Sequence, residues 1–168
     1  MAKRAASRTP DKPATKQKAN KSVARKAKLA EPSAYTVFIS HSSKERWIAG
    51  QIPKEIEALG AKTWLDIKDL RGGDEIKRSI KRGIRASQEA VVLLSANSIS
   101  SEWVGYEVGV ADNQGKRITP ILNNLAPDVA SGPLQGIKGL DLNDFDDFLV
   151  ELAGRIKERL NKFRKAAL

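Results

Sequence analysis

The stretch SEWVGYE, residues 101–107, has residue types and a spacing that could do chemistry. Trp103 and Glu107 are four apart, so on a helix they share a face one turn from each other. An indole beside a carboxylate leaves two readings. Glu107 is either an ordinary solvated helix acid or an acid held in a pocket to react. Ser101 either caps the helix that carries them or meets the substrate.

Other chemistries are excluded by composition. The 168-residue chain has no cysteine, which removes disulfides, thiol catalysis and thiolate zinc sites. His41 is the only histidine, which removes a multi-histidine metal centre. The chain has neither GxGxxG after a strand nor GxxxxGK[ST], so the dinucleotide fingerprint and the P-loop are both missing. His41 lies between Ser40 and Ser42, but adjacent residues at a strand end point apart and there is no GxSxG elbow, so a serine triad fails. A phospho-accepting receiver domain would end its third strand in aspartate, where this chain has Ser95. No apolar run approaches the roughly 20 residues of a membrane span, and nothing at the start resembles a secretory signal. The expectation is a soluble, cytoplasmic protein.

The elements that must position Glu107 follow from the apolar pattern. YTVFIS (35–40) reads as a first strand, followed by a helix capped at Ser42 or Ser43, kinked or split at Pro53 and ended at Gly60. KTWLD (62–66) is a second strand, IKDLRGGDE (67–75) a polar loop, and Ile76, Ile80 and Ile84 mark a second helix. AVVLLS (90–95) is a continuous apolar run, as in a central strand covered on both faces. A third helix spans 98–113, and RITPIL (117–122) is a fourth strand whose Pro120 suggests an edge or a strand end. IKGLDL (137–142) is a short fifth strand. A last helix, capped at Asn143 or Asp144, turns Phe145, Phe148, Leu149, Leu152, Ile156, Leu160 and Phe163 inward.

This alternation predicts a doubly wound α/β domain over 34–168, with a parallel sheet of four to five strands and helices on both faces. Ligands on such sheets sit at the carboxyl ends of the strands. Three polar loops, Ser40–Ser43, Asp66–Asp74 and Ser95–Ser101, converge on that rim. Residues 1–33 are basic and lack large apolar groups, so they are read as a disordered tail. Residues 1–34 hold ten of the Lys/Arg and two acids, a net +8 of the chain's +10. The tail is either a solubilising extension or an arm making weak contact with nucleic acid.

Three runs, in order and spacing, resemble a TIR domain of the bacterial type: YTVFISHSSKE, then GAKTWLDIKDLRGGDEIKRSIKRGIRAS, then AVVLLSANSISSEWVGYE. The first resembles box 1 and the loop from Ile67 to Ile76 the BB loop. Ser101, Trp103 and Glu107 match the SxWxxxE segment that carries the catalytic glutamate in NAD-cleaving members. The resemblance implies a flavodoxin-like fold and one of two functions.

The first function is NAD+ glycohydrolysis, giving nicotinamide and ADP-ribose or a cyclic form, in defence or signalling. NAD+ is then the substrate, with no cofactor and no metal. The second is a non-enzymatic module that pairs with other TIR-domain proteins, for example interfering with host TIR signalling. The glutamate at 107 is the residue that points to the enzyme. Nicotinamide leaves NAD+ as a neutral group, so a strong general acid is dispensable and the burden falls on stabilising positive charge at the ribose. Glu107 is the expected catalytic carboxylate, and Trp103 an apolar wall beside it. The residues expected to contact substrate are Ser40, His41, Ser42, Asp66, Arg71, Ser101 and Trp103. For several of them a plainer role stands beside this one: capping for Ser42 and Ser101, solvent exposure for Arg71. Self-association is implied, since the BB loop of a neighbouring protomer often completes such sites.

Overall fold

The computed structural model describes residues 34–65, 75–126 and 132–166. The expected tail over 1–33, and Asp66, Arg71 and Asp74 in the predicted loop, lie outside the described residues.

Five parallel strands form one sheet in the order β2-β1-β3-β4-β5: β1 (Thr36–Ser40), β2 (Lys62–Leu65), β3 (Glu89–Leu94), β4 (Arg117–Leu122) and β5 (Leu140–Asp141). The helices are α1 (Arg46–Ala49), α2 (Ile52–Ala58), α3 (Ile76–Ala86), α4 (Glu102–Asn113) and α5 (Phe145–Ala166). This is the doubly wound arrangement that the sequence predicts. The chain leaves β1 toward β2 on one side and β3 toward β4 on the other, so the strand order reverses between β1 and β3.

The core lies in two layers, one on each side of the sheet. Val37, Ile39, Val91 and Leu93 pack with Ile52 and Ile56 of α2 and with Phe148 and Leu152 of α5. Phe38, Val92 and Leu94 pack with Ile80 and Ile84 of α3 and with Val104 and Val108 of α4. Period-two alternation therefore turns the even-numbered residues of β1 toward α3 and α4. All six residues of β3 are buried, as its unbroken apolar run predicts for a strand with both faces covered.

Several local signals resolve in detail. The first predicted helix is split: Gly50 caps α1, and Pro53 sits in the first turn of α2, where its missing N–H costs no hydrogen bond. Gly60, at φ 82°, ends that segment. Gly83 of α3 is required by a close approach, because a Cβ there would stand 2.6 Å from the Trp64 ring. Trp64 in turn stacks on Phe38, its register partner on β1, with ring centroids 5.0 Å apart.

Some boundaries differ from expectation. β4 is interior, but β5 begins to pair with it only at Ile121, so beside Pro120 that side of the strand is open. The third helix begins at Glu102; residues 95–100 form turns. Asp141 caps a short 3-10 turn over Leu142–Asp144 that leads into α5. Leu160 and Phe163, expected inward, are 44% and 40% exposed, because the last turns of α5 project beyond the strands it covers.

Candidate active site

Glu107 occupies a position on α4 that sequence patterns reserve for apolar residues. Val104, Glu107, Val108 and Ala111 are the buried residues of the helix, at i, i+3, i+4 and i+7. Glu107 is 1% exposed. A carboxylate in that position carries a large desolvation cost unless polar groups meet it. Ser40 is one: its hydroxyl donates to Oε2 of Glu107. β1 ends at Ser40, and its alternation turns this side chain toward α4. Strand end and helix thus close on one another at the carboxyl rim, where the strand order reverses.

His41 and Ser42 follow at the same rim, 3% and 8% exposed. Ser42 is the N-cap of a 3-10 turn over Ser43–Glu45, its hydroxyl accepting from the Lys44 amide at 3.4 Å. Ser101 is the N-cap of α4, its hydroxyl accepting from the Val104 amide at 3.3 Å. Both hydroxyl oxygens therefore serve caps, the plainer of the roles foreseen for them. Trp103 is half-buried against the α3/α4 layer and tilts over Tyr106, with ring centroids 5.7 Å apart. Lys77 of α3 reaches over the Tyr106 ring at 5.7 Å, so α3 and α4 are joined by a cation–π contact beside the helix face that bears Glu107. The structure brings together Ser40, His41, Ser42 and Glu107 at the rim. Asp66 and Arg71 lie outside the described residues.

Two polar groups escaped the sequence reading. Glu45 is 6% exposed, although it stands in a run of charged residues, SSKER, that reads as solvent-facing. Burial holds its carboxyl above the ordinary carboxylate range, against a smaller opposing pull from the Ser42 amide. The spacing Ser42-x-x-Glu45 is that of a capping box, a signal that could have found it.

Glu89, 1% exposed, opens β3 at the opposite end of the sheet from Glu107. Arg155 of α5 grips it with two donors, Nε at 2.8 Å and Nη2 at 3.1 Å, and the Tyr35 hydroxyl donates to it at 3.1 Å. Burial, then the Glu89 carboxylate, pushes the Tyr35 phenol up to about 12. Burial works against the Arg155 charge, but hydrogen bonding and attraction to Glu89 outweigh it and raise its pKa. At that end of a doubly wound sheet such a cluster is structural.

A reversing parallel sheet with helices on both faces, whose carboxyl rim holds a buried glutamate bonded to the last serine of the first strand, defines a class of ligand-binding α/β domain. The pattern of the TIR domain family matches residues 37–153, and the chain belongs to that family. It is 31% identical over 97 residues to the NAD(+) hydrolase TcpC of Escherichia coli O6:H1, covering 54% of this chain and 32% of that protein. It is 31% identical over 96 residues to the 2' cyclic ADP-D-ribose synthase AbTIR of Acinetobacter baumannii, covering 54% of this chain and 36% of that protein. The chain thus spans about a third of the length of these curated relatives. Its fold is similar to the crystal structure of the TIR domain of the Toll-related receptor TRR-2 from Hydra magnipapillata, with a TM-score of 0.60 and 21% identity, covering 75% of this chain and 98% of that one.

Proposed function

We propose that the chain is a TIR-type NAD+ glycohydrolase that breaks the nicotinamide–ribose bond with Glu107 as its catalytic carboxylate. The observation that carries this reading is a glutamate sealed into the apolar stripe of α4 and held by Ser40 at the rim where the sheet reverses. A solvated helix acid would lie on the outer face. The named activities of the bacterial relatives, NAD(+) hydrolase and 2' cyclic ADP-D-ribose synthase, support the same choice.

The chemistry asks for a placed negative charge. As the C1′–nitrogen bond breaks, its electron pair goes to the nicotinamide ring, which leaves neutral. Positive charge develops on the ribose, and a carboxylate beside it stabilises that charge most strongly where water is excluded. Water, or a hydroxyl of the ADP-ribose itself, then forms the new bond at C1′. The products are nicotinamide, one proton and either ADP-ribose or its cyclised form. Ser40 is a positioning residue, since its hydroxyl fixes one carboxylate oxygen. Trp103 and Tyr106 supply the aromatic flank of the same helix. NAD+ is the substrate and no separate cofactor takes part.

Glu107 is closed to solvent here, so productive binding of NAD+ requires the site to open. Self-association that exposes and completes the site provides such a step. His41, Ser42, Asp66, Arg71 and Ser101 remain candidates for substrate contact. A cytoplasmic location and a role in defence or signalling belong to the same proposal. The test is to incubate NAD+ with the purified full chain, free in solution and crowded on beads, and to separate the products by chromatography. Nicotinamide appearing with ADP-ribose or a cyclic form is the expected result. No release under either condition would favour a TIR–TIR interaction module.

A further inference from the structure

A second cleft opens on the carboxyl rim, lined by residues of the α1 side and not by Glu107. Its walls come from three chain segments: the turn and helix after β1, the turn after β3 and the turn after β4. Its volume is about 410 Å³, within the range of small-molecule sites. It straddles the reversal between β1 and β3, the place where doubly wound sheets hold ligands.

Its chemistry is specific. Trp47, at its mouth, is 77% exposed, far more than a large aromatic side chain left without a partner would favour. Asn97, Asn123 and Asn124 line the opposite side. The Asn97 amide donates to Ser95 Oγ at 3.0 Å and the Asn123 amide to the Leu94 carbonyl at 2.7 Å, so both backbones are fixed to the end of β3. Asn124 takes the left-handed conformation, φ 53°, which bends the chain around the cleft. Lys44 supplies a cation at the same opening. Glu45, 6% exposed, lines the cleft from within, and among the described residues neither of its carboxylate oxygens accepts a hydrogen bond of normal geometry. A buried acceptor left unsatisfied is costly, and a donor brought by a ligand would relieve that cost.

We propose that this cleft is a binding site for an adenine nucleotide, separate from Glu107. The purine stacks on Trp47, an interaction open to any base. An asparagine amide reads the adenine N6 and N7 edge in the bidentate manner open to that side chain. The ribose hydroxyls donate to Glu45 once its carboxyl turns into the cleft, as an acid does for ribose in other doubly wound nucleotide sites. The phosphate meets Lys44. The proposal is independent of the NAD+ reaction and holds whether or not Glu107 is catalytic.

The test is calorimetric titration of the full chain with AMP and with IMP, which lacks the adenine amine, on the native protein and on Trp47→Ala, Asn123→Ala and Glu107→Gln. Trp47 is exposed, so its removal leaves the fold intact, as circular dichroism would verify. The proposal expects saturable AMP binding, weaker IMP binding, and unchanged affinity in Glu107→Gln. It expects about a five- to hundredfold loss in Trp47→Ala, the worth of one stacked base. No saturable AMP binding, equal binding of IMP, indifference to both Trp47→Ala and Asn123→Ala, or loss in Glu107→Gln would each overturn it. The last outcome would assign the nucleotide to the Glu107 site alone. Nicotinamide release by the native chain is a separate readout, so failure here leaves the proposed reaction standing.

Discussion

The Ser40 hydroxyl, on the last residue of β1, donates to Oε2 of Glu107, which lies 67 residues later in the middle of α4. Neither residue leaves the core: Ser40 and Glu107 are each 1% exposed. Removing the donor strips a hydrogen bond from a buried carboxylate while the carboxylate stays. Ser40→Ala is expected to lower kcat for nicotinamide release about ten- to hundredfold, the worth of one hydrogen bond to a charged group, and to destabilise the fold by about 1–3 kcal/mol. Steady-state kinetics beside urea unfolding would measure both. Unchanged kinetics would show that Ser40 has no part in placing the carboxylate.

Gly83 and Trp64 are joined by space alone. A methyl group at 83 would stand 2.6 Å from the indole, and that ring is already stacked on Phe38. A flat aromatic ring held on both sides cannot yield as a flexible chain end can. Gly83→Ala is therefore expected to cost about 1–3 kcal/mol by overpacking, despite the better helix propensity of alanine. Denaturant unfolding would show it, and a rise in stability would contradict the packing described.

Arg155 neutralises a glutamate that has no other cation in its reported contacts. Arg155→Met would leave Glu89 buried with its charge uncompensated, a change worth about 3–5 kcal/mol. The same cluster fixes an alkaline transition. The Tyr35 phenol rises from 10.0 to about 12 on folding, so the native state holds that proton more tightly than the unfolded chain. Its contribution is complete below pH 10 and lost as pH rises from 10 to 12. Thermal unfolding of the native chain and Tyr35→Phe across that window should show a shallower loss of stability in the variant. Parallel curves would contradict the cluster's role.

Glu45 runs the opposite way to an ordinary surface acid. Its folded pKa lies above the ordinary 4.5, so its contribution is present below that pH and lost as pH rises through the folded value. At neutral pH the ionised group therefore strains the fold. Glu45→Gln should raise the melting temperature at pH 7, with the gain shrinking as the pH falls toward 4. A lower melting temperature at pH 7 would mean that the charged form is favoured where it lies.

Much of the fold was legible because its causes are local. AVVLLS could only be a doubly covered strand, Pro53 had to begin or break a helix, and Ile76, Ile80 and Ile84 share one face. Glu107 was legible as a candidate through its motif, yet its burial was not, because an acid at a stripe position looks like any helix acid until its partner is known. That partner, Ser40, is set by strand alternation and a crossover, neither of which a window of sequence contains. Glu89 was hidden for the same reason: its counter-ion Arg155 lies 66 residues away on the last helix. Leu160 and Phe163 continue the apolar stripe of α5 in sequence, but the sheet beneath it ends first.

The central claim is that the Glu107 carboxylate drives cleavage of NAD+. The most direct test is nicotinamide release by the native chain and by Glu107→Gln, at matched high concentration and with matched melting temperatures. Glutamine keeps the shape and can still accept from Ser40, but carries no charge. The account predicts release by the native chain and a fall of about 10²–10³-fold or more in the variant, as for loss of a transition-state electrostatic partner. Equal release by both proteins would contradict it and return Glu107 to a structural role.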